Sequence, residues 1–283
     1  MIKNVSVIGA GQMGAGIALV CAINGYDVVL NDIEQRFIDN GLNRNKAWLE
    51  RQVEKGRITQ ENADQIWSRL TGELDLQSAV KNADLVIEAI IENLEIKKEL
   101  WKKVGEFAPA HAIFGSNTSS LSITEMAVAS GRPEKFLGTH FFNPPVIMKI
   151  IEFIKGYSTS QETLEKAIEF GKSLDMKTVL AAEAPGFIVN RILIPMLNEA
   201  YFALQEGVAT KEDIDLAIKM GLNHPMGPFT LSDFIGLDTI LYIAEYLHKE
   251  LGEDKYRPCP LLRKMVRAGK LGRKTGEGFY KYD

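Results

Sequence analysis

His140 and Glu152 stand twelve positions apart in the stretch GTHFFNPPVIMKIIEF, residues 138–153. An imidazole that carries a carboxylate on one ring nitrogen is a proton carrier. The acid fixes which nitrogen bears hydrogen and stabilises the imidazolium, and the other nitrogen is left for a reacting group. A strand, a turn and a returning strand can bring positions this far apart side by side. The same residues also suit a core histidine held by a backbone carbonyl and a glutamate facing water, and this stretch alone does not choose between the two.

A second set of residues suits phosphate chemistry. VSVIGAGQMGAG supplies Gly9-x-Gly11-x-x-Gly14 directly after a β-rich run and at the start of a helical one. In a Rossmann-type unit the first glycine permits the tight turn and the second lets the backbone approach a diphosphate. The third lets helix and strand pack closely, with the phosphates at the positive end of the helix. A glycine turn by itself is weak evidence, but Asp32 ends the next strand-like run, DVVLND, at the distance expected of a ribose-binding acid. Its carboxylate would repel a 2′-phosphate, so NAD is expected. Arg36 is close enough to offset this, which leaves NADP open, although a solvated helix-face charge is its plainer use.

The elements that must position these groups follow from the pattern of apolar residues. ADLVIEAI, HAIFGSN, KFLGTHFF, MKIIEFI and KTVLAA are strand-like runs, separated by the helical NLEIKKELWKKVGEF, ITEMAVA and QETLEKAIEFGKSL. This alternation predicts a mainly parallel sheet covered on both faces. Residues 34–71 read as helical, broken near EKGRIT, where Gly56 stops one helix and Thr59 with Asn62 starts another. SNTSS follows a strand, at a carboxyl end where ligands sit in open α/β sheets. Beyond EAPGF the strands give way to helices. The expected organisation is α/β: a Rossmann-type dinucleotide-binding domain over 1–184, with a helical-arm insertion at about 34–71, and an all-α domain over 185–283.

Composition narrows the classes. Apolar residues make up 46% and charged residues 25%, as in soluble globular chains. A net charge of −4 argues against broad nucleic-acid binding, while leaving room for a local basic patch. Cys21 and Cys259 have no CxxC spacing, so neither a disulfide framework nor a metal site is expected, and a reducing, cytoplasmic compartment fits. The uncharged run from Val5 to Ile23 superficially resembles a targeting segment, but Gly9, Gly11, Gly14 and Gly16 interrupt it, and no membrane association is expected.

GAGQMGAGIA, VIEAIIEN, SNTSSLSIT, THFFNPP, IIEFI, APGFIVNRILIP, NHPMGP and KTGEGFY occur in the order seen in the 3-hydroxyacyl-CoA dehydrogenase family, which the chain resembles over essentially all its length. The resemblance implies an NAD-linked oxidoreductase interconverting (S)-3-hydroxyacyl-CoA and 3-oxoacyl-CoA, with the 3-hydroxybutyryl-CoA and acetoacetyl-CoA pair as its expected substrate. It implies His140 as catalytic base with Glu152 as partner, and Ser119 and Asn190 on the substrate's reacting oxygen. If Asn190 does so, the site lies where the two domains meet. Gln12 and Met13 join the glycines as cofactor contacts, with Glu92, Lys97, Asn143 and Lys274 carried over on their motifs. Plainer uses for these last four are a helix cap, an exposed charge, a turn residue and an exposed tail charge. An acyl-CoA enzyme needs cations for phosphates, and Arg51 and Lys55, four apart, share a helix face. The family usually carries lysine at both, so Arg51 is a departure that keeps the charge; a charged face beside Glu50 and Glu54 is the alternative. A homodimer through the helical half is expected.

Two rival functions remain at this stage. One is a β-hydroxyacid dehydrogenase for a small sugar acid, disfavoured because Arg191, and no lysine, stands beside Asn190. The other is a non-catalytic NAD-binding protein, disfavoured by the intact Ser119, His140, Glu152 and Asn190. His111 and His248 read as surface residues and His224 as a turn residue.

Overall fold

The computed structural model describes residues 2–282. Its chain divides into two compact units, residues 1–183 and 184–283. The first unit contains β1 (Asn4–Ile8), α1 (Gln12–Ile23), β2 (Asp27–Asn31), α2 (Gln35–Glu54), α3 (Gln60–Ser68), β3 (Leu70–Glu73), α4 (Leu76–Val80) and β4 (Leu85–Glu88). It continues with α5 (Leu94–Phe107), β5 (Ile113–Ser116), α6 (Ile123–Ala129), β6 (Phe136–Phe141), β7 (Ile150–Lys155), α7 (Gln161–Ser173) and β8 (Lys177–Ala182). The strands form one sheet in the order β3-β2-β1-β4-β5-β6-β7-β8. Each neighbouring pair is parallel except β6 and β7.

The order 3-2-1-4-5-6 is that of a doubly wound dinucleotide fold, whose ligands sit outside the carboxyl ends of the strands. The strands read as nearly continuous apolar runs because helices cover the sheet: Val5, Val7, Val28, Leu30, Leu85 and Ile87 are all buried. Trp101 of α5 packs on Phe114 and Phe136, at ring-centroid distances of 5.3 and 4.7 Å, and so holds that helix over β5 and β6. The helical reading of 34–71 needs a correction at its end. Leu70 and Thr71 open β3, which pairs with β2 from Val28 onward, so sheet pairing overrides a locally helical pattern. Gly56 does break the arm with a φ of +64°, and Thr59 caps α3 by accepting the Asn62 N–H at 3.1 Å.

The second unit contains α8 (Val189–Gln205), α9 (Lys211–Gly221), α10 (Pro228–Ile235), α11 (Leu237–Leu251) and α12 (Pro260–Arg267). The stretch from Leu231 to Gly252 is helical as its pattern suggests, but divided, because Gly236 takes a φ of +104° between α10 and α11. Among the described residues it has only isolated bridges, Gly272 to Glu277 and Glu277 to Lys281. Its core gathers Leu197, Tyr201, Phe229, Leu237, Ile240 and Phe279. No helix among the described residues is long and apolar enough to cross a membrane.

The carboxyl-terminal segment is tied down by one buried acid. Asp233 accepts the Phe279 and Tyr280 N–H groups at 2.8 Å each and the Tyr282 hydroxyl at 3.0 Å. Replacing Asp233 with Ala leaves buried donors without partners and is expected to cost about 3 kcal/mol, readable as a lower urea midpoint. Limited proteolysis should then cut first within residues 268–282.

Candidate active site

The three glycines of the loop are required for different reasons. Gly9 has a φ of +101°, and a Cβ there would meet the Ala89 carbonyl oxygen at 2.5 Å. A Cβ on Gly14 would lie 1.7 Å from the Gly9 oxygen. Gly11 is unlike both: its φ is −64°, and a Cβ built on it meets nothing within 4 Å. The protein's own packing makes no demand for glycine at 11, so the open space above it suits a ligand. Helix α1 starts beside it with no side-chain cap and no acid in its first turn, leaving its first N–H groups for an anion.

Asp32 follows β2 and accepts the Ala10 N–H with Oδ2 at 2.7 Å and the Ile33 N–H with Oδ1 at 2.7 Å. Arg44 reaches from α2 to donate to the Ala10 carbonyl at 2.6 Å, so both ends of the Ala10 peptide are held by side chains. Arg36 pairs with Glu34 at 2.6 Å instead. An open glycine turn at a helix N-terminus with a carboxylate beside it fits a dinucleotide.

His140 and Glu152 meet directly. The register of β6 and β7 sets them opposite one another, and His140 Nδ1 lies 2.7 Å from Glu152 Oε2. Glu152 is 0% exposed and His140 7%. The histidine ring packs on Phe142 at a centroid distance of 4.7 Å. A core histidine held only by a backbone carbonyl is therefore excluded. An acid on Nδ1 favours the tautomer that carries hydrogen on that nitrogen.

The SNTSS loop leaves β5 beside this pair. Asn117 Oδ1 accepts the Phe141 N–H at 2.9 Å, joining the loop to the strand that carries His140. Ser122 caps α6, accepting the Glu125 N–H at 3.2 Å, so the capping role falls to it and Ser119 is not the cap. Ser119 is half-buried, and Glu92 Oε1 accepts its N–H at 3.1 Å. Glu92 also accepts the Thr118 hydroxyl at 2.5 Å. Lys97 is only 1% exposed, so it is not the exposed helix charge that its motif allows. Its ammonium pairs with Glu88 and lies 3.4 Å from Glu92 Oε2.

The remaining expected contacts have these positions. Gln12 Nε2 donates to Asn143 Oδ1 at 3.0 Å, and a Cβ on Gly16 would meet the Pro145 ring at 3.0 Å, so the HFFNPP turn rests on α1. Met13 packs against the core of the first unit. Arg51 and Lys55 are exposed at the end of α2, Lys55 as its C-cap residue. In the second unit Asn190 is half-buried in the first turn of α8, which begins only at Val189 because Gly186 and Phe187 take φ values of +78° and +50°. Lys274 pairs with Asp238 at 2.5 Å. Sequence reasoning missed Glu88, Ser116 and Arg44. The signal for Glu88 was present: a carboxylate inside a wholly apolar strand must find a buried partner.

Other chemistries find little support. Burial pushes the Cys21 and Cys259 thiols up, away from reactive thiolate. Among the described residues, no group of three His, Cys, Asp or Glu side chains is arranged to hold a metal ion.

Family models match nearly the whole chain. The model described as "3-hydroxyacyl-CoA dehydrogenase, NAD binding domain" matches residues 4–184, and "3-hydroxyacyl-CoA dehydrogenase, C-terminal domain" matches 186–282. The chain is 48% identical to a 3-hydroxybutyryl-CoA dehydrogenase of Bradyrhizobium diazoefficiens, over 100% of this chain and 96% of that protein. It is 45% identical to the human mitochondrial hydroxyacyl-coenzyme A dehydrogenase, over 100% of this chain and 92% of that protein. The crystal structure of (S)-3-hydroxybutyryl-CoA dehydrogenase from Ralstonia eutropha superposes with a TM-score of 0.97 at 42% identity, covering 100% of both chains.

The contrast among the glycines yields a test by calorimetry and NADH fluorescence titration. Gly11→Ala should fold with a stability loss of at most about 1 kcal/mol, that of a poorer helix N-cap. It should nonetheless weaken NADH binding by about tenfold or more, equal to about 1.4 kcal/mol. Gly14→Ala should fail to accumulate as folded protein.

Proposed function

Because the chain belongs to the 3-hydroxyacyl-CoA dehydrogenase family, we propose that it interconverts (S)-3-hydroxyacyl-CoA and 3-oxoacyl-CoA thioesters, with 3-hydroxybutyryl-CoA and acetoacetyl-CoA as its substrate pair. The observation that carries the catalytic reading is the buried Glu152 carboxylate 2.7 Å from His140 Nδ1, beyond the carboxyl end of β5. Bound NAD supplies the hydride acceptor at nicotinamide C4, and NADH the donor.

In oxidation, Nε2 of His140 takes the hydroxyl proton as the adjacent carbon gives up its hydride, leaving the ketone. Glu152 keeps the imidazole in the right tautomer and balances the charge of the imidazolium. In reduction the same nitrogen returns the proton to the forming alkoxide. Ser119 donates a hydrogen bond to that oxygen, which stabilises its growing negative charge. Exposed Arg51 and Lys55 supply cations for the phosphates of coenzyme A.

NAD is proposed over NADP. Asp32 sits where a 2′-phosphate would be repelled, and Arg36, the residue able to offset this, is spent on Glu34. The proposed setting is the cytoplasm, in keeping with two cysteines that are both free.

The proposed assembly is a homodimer through the second unit. Val208, Leu216, Met220 and Leu222 on and around α9 are 57–71% exposed, an apolar patch that a second copy would cover.

His140→Gln should lower kcat for acetoacetyl-CoA reduction by about 10²–10⁴-fold, with NADH affinity near wild type. Full retained turnover would remove His140 from the mechanism. In gel filtration at low micromolar concentration the wild type should elute at twice 31.5 kDa and Met220→Asp at 31.5 kDa. A wild type eluting only as the smaller species would refute the dimer.

A further inference from the structure

Behind the SNTSS loop two carboxylates share one ammonium. Glu88 closes β4 with no exposed surface, and Lys97 enters from α5 with 1% exposed. Glu88 Oε2 accepts the Ser116 hydroxyl at 2.7 Å, and Oε1 accepts the Ile90 N–H at 2.8 Å together with the Lys97 ammonium. Lys97 also lies 3.4 Å from Glu92 Oε2. Glu92 in turn accepts from Thr118, from the Ser119 N–H, and from the Ser120 hydroxyl at 3.4 Å. The end of β4, the first turn of α5 and the loop after β5 are thereby linked through charged groups.

Stability alone is a poor reason for this arrangement. Taking ions out of water is costly, and apolar replacements of similar volume often hold elements together as well or better. An apolar contact would not, however, aim a carboxylate at the Ser119 N–H. The charge balance is also informative. One ammonium facing Glu92 alone would draw that carboxylate toward itself. Glu88 satisfies much of the ammonium from the other side, while Glu92 Oε1 accepts from the loop.

We propose that Glu88 is a positioning residue for the reaction, acting through Lys97 and Glu92 to fix the Ser119 hydroxyl; this rests on the reading of Ser119 as a contact to the reacting oxygen. Glu88 touches neither substrate nor cofactor in this scheme. Its effect is geometric: it determines where Glu92 stands, and so where the loop stands.

The test is Glu88→Gln, which keeps the shape and an acceptor but removes the charge. Hydrogen–deuterium exchange on the enzyme without substrate should speed up across residues 117–121, while peptides from α1 stay as in the wild type. Turnover of acetoacetyl-CoA should fall about tenfold to a hundredfold, as for a small misplacement of a reacting group. The double variant E88Q/K97M also removes the buried ammonium, which in the single variant has lost its Glu88 charge partner. It should melt at a higher temperature than Glu88→Gln yet remain equally slow, and it serves as the test if the single variant does not fold.

Wild-type exchange at 117–121 with wild-type kcat would overturn the proposal. So would a lowered melting temperature with unchanged kcat per folded enzyme, or recovery of full kcat in the double variant. If the wild type itself fails to reduce acetoacetyl-CoA, the functional reading falls, while the exchange result still decides whether Glu88 orders the loop.

Discussion

The imidazole of His140 and the carboxylate of Glu152 meet because β7 turns back against β6, the one antiparallel pairing in an otherwise parallel set of neighbours. In an antiparallel ladder, directly opposed residues share a face of the sheet, and a slip of one position sends every side chain to the other face. The apolar neighbours Phe141, Ile151 and Phe153 are buried, so the register is held by the core. The ladder also brings other groups into line. Glu88 pairs with Ser116, and Ser116 with Gly138, two residues before His140. Successive neighbours across a sheet point the same way, and so do residues two apart along a strand. The carboxylate of β4, the hydroxyl of β5, the imidazole of β6 and the carboxylate of β7 therefore face one side of the sheet.

The cofactor half of the site is built by exclusion of atoms. At Gly9 and Gly14 the backbone of the loop and of the neighbouring strand leaves no room for a side chain, and at Gly11 the room is left open. A single motif thus mixes two requirements, one imposed by the fold and one by the ligand. Asp32 and Arg44 then hold the Ala10 peptide from both ends, which orients the loop before any ligand arrives. Such preorganisation lowers the ordering cost of binding.

The glycine loop, Asp32, the succession of strands in the first unit and the change to helices near residue 184 could all be read from periodicity and turn residues. The His140–Glu152 contact could be suspected from a strand, turn and strand. Deciding it required the register, which no local pattern supplies. Strand β3 was lost because a short run with polar neighbours has no periodicity of its own, and only pairing with β2 makes it a strand. The break at Gly236 was hidden inside a sequence that looks helical on both sides. The exposed-charge alternative for Lys97 fails because its burial depends on Glu88, nine residues away and in another element. Charged residues are hard to place from sequence because partners, and not hydropathy, determine whether they can go inside.

The turn after β6 also touches the other half of the site. Asn143 bonds to Gln12, and the Pro145 ring lies against Gly16, so the segment leading away from the imidazole is seated on the first turns of α1. Loop and strand consequently share a mechanical coupling only two contacts long. Through those contacts the packing of α1 and the course of the turn that follows His140 are constrained together.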